Sequence, residues 1–336
     1  MENNDFILIT GGSGFIGTNL IELFEKKNYK FLNFDKMGPR KENQSPYWYE
    51  GNILDKSILE KVFEKYKPTI VIHLAAKTDT SSDKLDDYID NTKGTENIIT
   101  TIENCSSVQR AIITSTQYVY KNSTKPFPLK DDEYLPHTGY GMSKKVTEEL
   151  TRNSSMKCIW TIVRPTNVWG PWNLRYPLQL WKIVDKGLYA HPTRRQVVRT
   201  YAYVKNLTHQ LDAIINANEI RINKKTFYLG DLPMDSYFWV NELSMQLRGK
   251  KIIHLPQIFF RLAALIGDML MKFNINSPIH SQRFYNMIVD YYAPTNVTIK
   301  EFGLYSEDLS LCMRETNDWI KGEGVEYFDY WKNKKY

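Results

Sequence analysis

The sequence predicts an α/β protein built on a doubly wound parallel sheet, with a smaller C-terminal substrate-binding region. Three observations lead to that class. A short apolar run at 6–9 (Phe-Ile-Leu-Ile) is followed by three glycines at three-residue spacing, Gly11, Gly14 and Gly17, and then by an amphipathic run over 18–27. Apolar runs of strand length then alternate with helical patterns, which is the signature of strand–helix–strand units. A second such run, 30–34, ends in an acid, Asp35, about 20 residues beyond the glycine turn.

The elements follow in order. Residues 6–9 carry no polar interruption, as suits a strand buried on both faces of a parallel sheet. Leu20, Ile21, Leu23 and Phe24 give 18–27 its apolar face. The stretch 36–49 is polar, holds Pro39 and Pro46, and reads as a loop. Residues 51–55 are expected to close a third strand and 56–65 to form a helix. A buried-type strand is expected at 69–74, followed by Ala75 and Ala76, small enough for the chain to pass close beneath a ligand. A long helix over 87–104 leads to another strand at 111–116. The helix opened by Tyr140 follows, and 226–230 reads as a strand returning to the sheet. Residues 1–170, with a returning segment near 200–230, are therefore expected to form a nucleotide-binding domain, and 171–336 mainly a substrate-binding one.

The glycine turn specifies the ligand of the first half. A helix N-terminus offers free N–H groups and a positive dipole end to a pyrophosphate, and glycine lets the backbone come close to it. An acid at the end of the second strand suits a ribose hydroxyl and would repel a 2′-phosphate. NAD is favoured over NADP, although Lys36 and Arg40 stand near Asp35 and leave NADP open.

Bulk properties narrow the partners. The 336 residues are 42% hydrophobic and 13% aromatic, as in a globular chain, and 44 basic against 38 acidic side chains give a mild +6 with no long basic block. That balance suits an anionic small molecule better than a nucleic-acid duplex. Cys105, Cys158 and Cys312 are scattered, and His137 and His254 show no ligand spacing, so neither a disulfide framework nor a metal site is expected. The chain enters its first strand almost at once, with no apolar leader, and a cytoplasmic location is expected. The most apolar later segment, 258–273, is interrupted by Arg261, Asp268 and Lys272 and is shorter than a bilayer span. Its Met-containing pattern reads as a core or subunit-contact helix; the alternative, a membrane-surface or sterol pocket, draws its support from the resemblance given below, and no membrane partner is expected. Trp169, Trp172 and Trp181 read as core or as rings facing a base or sugar.

Strand ends carry the chemistry in such sheets. Thr116 lies at one, and Tyr140 and Lys144, four residues apart, share a helix face. A tyrosine titrating near ~10 becomes a usable base only if a nearby cation stabilises its phenolate. Lys144 is placed to be that cation.

Taken together, Thr10-Gly-Gly-Ser-Gly-Phe-Ile-Gly17, His73-Leu-Ala-Ala76, Asn91-Thr-Lys-Gly-Thr95, Tyr118-Val-Tyr120, Tyr140 to Lys144 and Arg164-Pro-Thr-Asn-Val-Trp-Gly-Pro171 resemble the extended short-chain dehydrogenases that act on nucleotide sugars, the NAD-dependent epimerase/dehydratase family. The likeness runs over about 5–230 and fades beyond 240. It implies a Rossmann fold and a cofactor site including Gly11, Gly14, Phe15, Ile16, Gly17, Asp35, Asn52, Ile53, Leu74, Ala75, Ala76, Tyr140 and Lys144. Asn52 and Ile53 match the positions that flank the adenine, though an aspartate is more usual where Asn52 stands. Tyr140 would be the acid/base, Lys144 would hold the nicotinamide ribose, and Thr116 would bond the reacting sugar oxygen. Asn167 and Arg199 would face the sugar diphosphate. Dimerisation through the Tyr140 helix is implied by the family alone.

One departure bears on the reaction. The 4,6-dehydratases that resemble this chain carry an Asp-Glu pair directly after the Thr116 position, whereas Gln117 and Tyr118 stand here. Neither can act as a carboxylate acid or base, so plain hydride transfer at C4 of a nucleotide-diphosphate sugar is expected. The divergent C-terminal region favours a 4-keto sugar reductase, with a 4-epimerase as the alternative. A steroid-type dehydrogenase and a non-catalytic dinucleotide sensor are less favoured, the sensor because it would be free to lose Thr116, Tyr140 and Lys144.

Overall fold

The computed structural model describes residues 5–328 apart from 81, 122–129, 176, 274 and 276. Its sheet has seven strands: β1 (Ile7–Thr10), β2 (Phe31–Asp35), β3 (Trp48–Glu50), β4 (Ile70–His73), β5 (Arg110–Thr114), β6 (Ile159–Pro165) and β7 (Lys225–Leu229). They lie side by side in the order β7-β6-β5-β4-β1-β2-β3, and every neighbouring pair is parallel. The chain winds outward from β1 to β3, then returns to β4 on the other side of β1. The reversal between β1 and β4 is the switch point at which doubly wound sheets bind ligands.

Both faces of the sheet are covered, which is why its strands are apolar without alternation. Ile7 and Ile9 of β1 pack with Leu20 and Phe24 of α1 (Phe15–Lys26) and with Leu207, Leu211 and Ile214 of α5 (Val204–Asn216). Leu8, between them, points the other way, into a core with Val62 and Phe63 of α2 (Lys56–Tyr66) and Ile98 and Ile102 of α3 (Ile89–Glu103). Helix α4 (Gly139–Arg152) packs beside α3 and carries Tyr140 at its second residue.

The third strand lies earlier than expected, at Trp48–Glu50, and 51–54 is a turn. The Asn52 side chain accepts the Leu54 N–H at 3.0 Å, and Asp55 caps α2 by accepting from Ser57 and Ile58. These short polar side chains compete with strand pairing for the local N–H groups. Similarly, β5 ends at Thr114, which leaves Thr116 in extended chain just beyond the sheet.

The later chain builds a separate aromatic core. Trp169, Trp172, Trp181, Tyr203, Trp239 and Trp319 are all buried in it, and Trp169 meets Trp239 edge-on at 5.3 Å. The three tryptophans with an open assignment are thus packing residues. This core rests on α1, through Phe15 and through the Asn19 amide, which donates to the Pro171 carbonyl at 3.0 Å. The Gln257–Lys272 helix differs from the core reading: only Phe260, Ala264 and Gly267 of it are buried. No helix among the described residues is long and apolar enough to cross a membrane.

Candidate active site at the sheet switch point

The glycines are required by close approach. Gly11 has φ +76°, and a Cβ there would stand 2.5 Å from the Ala75 nitrogen, so the turn after β1 nests against the chain leaving β4. A Cβ on Gly17 would meet the Gly12 Cα at 2.4 Å, which fixes how the first turn of α1 sits on the loop. Gly14 is the N-cap of α1 and has no side-chain cap, leaving the helix's first N–H groups directed at the cleft. Gly11, Gly14, Phe15, Ile16, Leu74, Ala75 and Ala76 are all half-buried, beyond the carboxyl ends of β1 and β4, which are themselves fully buried. That is a cradle that side chains would fill, and it fits a dinucleotide pyrophosphate.

Asp35, at the end of β2, accepts from the Ser13 N–H at 3.1 Å and from the Met37 N–H at 2.9 Å. Burial raises its pKa, and these two N–H groups and Lys36 oppose the rise. Each oxygen takes one N–H and keeps lone pairs for a ribose diol. The two cations that left NADP open are engaged elsewhere: Lys36 pairs with Asp90 at 2.8 Å, and the Arg40 guanidinium donates to the Trp172 carbonyl. Ile53 is buried and presses on Gly94, where a Cβ would stand 2.5 Å from its Cδ1; Asn97 holds the 53 and 54 carbonyls from α3.

At the ends of β5 and α4, the Thr116 hydroxyl accepts the Tyr118 N–H at 3.3 Å and stands near enough to the Tyr140 phenol to lower its pKa. Both are buried, and Lys144 is buried beside them, donating to the Thr114 carbonyl at 2.8 Å. Burial pushes the Tyr140 phenol upward, opposed by Thr116, and lowers Lys144 to about 7, opposed by the Glu148 carboxylate. In a dry site each charged form is disfavoured by itself, so the phenolate is favoured only with a cation alongside.

Several residues that build the site had no role assigned from the sequence. Glu148, one turn beyond Lys144, is fully buried and takes Arg164 bidentately at 2.7 and 2.8 Å, with Ser115 at 2.6 Å and Tyr134 at 3.0 Å. The spacing of Tyr140, Lys144 and Glu148 along one helix face was the available signal. Asn91 joins three segments: it bonds both the N–H and the carbonyl of Lys77 and the Ser143 hydroxyl. His73 is buried between Thr10 at 2.7 Å and Thr95 at 3.1 Å, and burial and Lys144 lower it to about 3, so it is a neutral tether. From the far end of the chain, Tyr291 donates to the Gln117 and Tyr120 carbonyls, both at 3.1 Å. Nothing local in the sequence marks it.

On the substrate side, Asn167 donates to the Thr200 carbonyl at 3.1 Å and so lies next to Arg199. The Arg199 guanidinium donates to the Asn286 carbonyl at the end of the Ser281–Ile288 helix. Half-buried Arg283, on that helix, has its pKa lowered by burial and by neighbouring Arg175. Two guanidinium groups near each other make a place for an anion. Among the described residues no group of three or more His, Cys, Asp or Glu could hold a metal.

Comparison with known proteins bears on the family and the fold. The model of the NAD dependent epimerase/dehydratase family matches residues 7–230. The chain is 31% identical over 247 residues to a dTDP-D-glucose 4,6-dehydratase of Dictyostelium discoideum, covering 64% of this chain and 56% of that protein. It is 27% identical over 281 residues to the N-acetyl-alpha-D-glucosaminyl-diphospho-ditrans,octacis-undecaprenol 4-epimerase of Escherichia coli O157:H7, covering 80% and 81%. Matches to several further relatives span about half of those proteins' lengths. Among solved structures, the Bordetella bronchiseptica enzyme WbmG in complex with NAD and UDP shares the fold at a TM-score of 0.68 and 22% identity, covering 95% of this chain and 96% of that one.

Proposed function

The chain belongs to the NAD dependent epimerase/dehydratase family, and from that premise we propose that it transfers hydride at C4 of a nucleotide-diphosphate sugar. The observation that carries this reading is the buried set Thr116, Tyr140 and Lys144 just beyond β5, on the same edge of the sheet as the glycine cradle after β1 and Asp35 at the end of β2. NAD, when bound, supplies the hydride acceptor or donor. Gly11 to Gly17 would receive its pyrophosphate, Asp35 its adenosine ribose, Asn52 and Ile53 its adenine, and Lys144 its nicotinamide ribose.

In the oxidising direction the Tyr140 phenolate takes the proton of the C4 hydroxyl as hydride leaves C4, and Thr116 orients the reacting oxygen. In the reducing direction the Tyr140 phenol returns that proton to the new alkoxide. Glu148 and Arg164 hold α4 against the ends of β5 and β6, so the Tyr140 and Lys144 side chains are fixed relative to Thr116. Asn167, Arg199 and the Arg175–Arg283 pair would hold the diphosphate. That group is common to nucleotide sugars and to the polyprenol-linked sugar in the name of the Escherichia coli relative. Residues 1–170 with the returning 200–230 segment would serve the cofactor and 171–336 mainly the substrate, in a homodimer through α3 and α4.

Gln117 and Tyr118 offer no carboxylate for water elimination, which supports C4 chemistry over dehydration. A 4-keto reductase is the first version of the reading; the 4-epimerase that aligns with most of this chain supports the second. Denaturing the purified protein and identifying any released nucleotide by mass separates them. Near-stoichiometric NAD means a cofactor recycled in place, as an epimerase needs. Protein that emerges empty and then binds free NADH fits a reductase. Protein that binds neither NAD nor NADH overturns the reading.

A further inference from the structure

The Gln257–Lys272 helix is docked by its small face. Phe260, Ala264 and Gly267 turn inward, Phe260 stacks on Phe284 at 6.2 Å between centroids, and a Cβ on Gly267 would stand 1.8 Å from the Ile279 carbonyl oxygen. That contact fixes the rotation of the helix, since no other residue type fits at 267. The large apolar side chains are therefore held outward. Ile258, Phe259, Leu262, Leu265, Ile266, Met269 and Phe273 are each more than half exposed. At 3.6 residues per turn they fall within an arc about 120° wide. A stripe of that kind on a protein surface marks an interaction site.

Charge indicates what covers it. Of the six basic side chains between 248 and 285, Arg283 belongs with Arg175 and the Arg248 guanidinium lies against Gly187, which leaves Lys250, Lys251, Arg261 and Lys272 against one acid, Asp268. Asp268 is itself occupied, accepting from the Ser281 backbone at 3.0 Å. Lys250, Lys251, Arg261 and Lys272 are exposed, and on the helical wheel Arg261 and Lys272 fall just beside the apolar arc. A second copy seated on this face would bring the same cations to the same rim. An anionic lipid surface instead satisfies both the apolar arc and its basic flank.

We propose that the Gln257–Lys272 helix lies in the plane of an anionic membrane surface, its apolar arc inserted and Lys250, Lys251, Arg261 and Lys272 among the headgroups. Sixteen residues at 1.5 Å each fall short of the roughly 30 Å hydrocarbon core, so the helix rests on the bilayer. The attachment reaches the active site through Tyr291, which follows the Ser281–Ile288 helix and holds the Gln117 and Tyr120 carbonyls. The inference does not rest on the C4 chemistry.

The test is flotation of the full chain with vesicles of phosphatidylcholine alone or containing one third phosphatidylglycerol. Binding is expected to the anionic vesicles and to fall with added salt. The Leu265→Glu/Ile266→Glu and Lys250→Glu/Lys251→Glu variants should each partition about tenfold less or weaker still, with unchanged circular dichroism and NAD binding. Wild-type protein that stays off anionic vesicles, or variants that float equally well, would overturn the proposal. So would a dimer in sedimentation that Leu265→Glu/Ile266→Glu dissociates while the parent ignores vesicles, since the face would then join two copies.

Discussion

Tyr140 and Lys144 show how far single residues could be read in advance. Their spacing puts them on one face of α4, but does not tell the depth of burial, which decides their titration. Tyr140→Phe removes only the proton-carrying oxygen, and general acid–base groups contribute on the order of 10²–10⁴ in rate. Its kcat should fall by about that range with NAD affinity unchanged, as measured by turnover and calorimetry; a variant as fast as the parent would exclude the assigned role. Lys144 titrates at about 7 in the folded protein against 10.5 in the unfolded chain. Between those values the unfolded chain holds a proton the folded one lacks, so stability rises with pH; below 7 the folded state bears the full penalty of the buried ammonium. Urea midpoints from pH 6.5 to 9.5 should therefore climb in the wild type relative to Lys144→Met, and parallel curves would contradict this. Arg199 was legible as a cation near Asn167, whereas its donation to the Asn286 carbonyl depends on a helix far along the chain. Its test is a rise in KM for the sugar nucleotide in Arg199→Ala with NAD affinity unchanged.

Elements were legible where local pattern and tertiary demand agree. The strand–glycine–helix unit at β1 and α1 was plain because the close approach that requires glycine also spaces it. Gly11→Ala places a Cβ 2.5 Å from the Ala75 nitrogen at φ +76°, whereas Gly249, at φ +66°, has open space around it. The first substitution should lower Tm strongly and abolish NAD binding, and Gly249→Ala should cost only about 1 kcal/mol; equal losses would show that backbone conformation alone matters. The third strand was misplaced because Asn52 and Asp55 cap the turn that the apolar residues Ile53 and Leu54 disguise. The Glu148–Arg164 pair crosses from α4 to β6, so its pairing was not readable from either element. Glu148→Gln leaves a buried guanidinium short of its counter-charge, and such losses run to about 3–5 kcal/mol in chemical denaturation. A variant as stable as the parent would mean the pair contributes only orientation.

Across the whole molecule, the sheet was predictable and the aromatic core was not. The sheet follows from alternating runs, while Trp169, Trp172, Trp181, Trp239 and Trp319 converge from distant positions that no periodicity links. Because this core rests on α1 through Phe15 and Asn19, the two regions should unfold together. Tryptophan fluorescence, to which the aromatic core contributes five of the eight tryptophans, and far-UV circular dichroism, which samples the sheet and helices, should give one urea midpoint; separate midpoints would mean that the halves are independent.

The central claim, hydride transfer at C4, is tested most directly by isotope. Protein loaded with NAD is mixed with nucleotide-diphosphate hexoses carrying deuterium at C4, and the label is located by nuclear magnetic resonance. The label is expected to pass to the nicotinamide or to reappear at C4 with inverted configuration, and Tyr140→Phe should block both. Deuterium found at C6 would show that water is eliminated despite Gln117 and Tyr118, and would contradict the account.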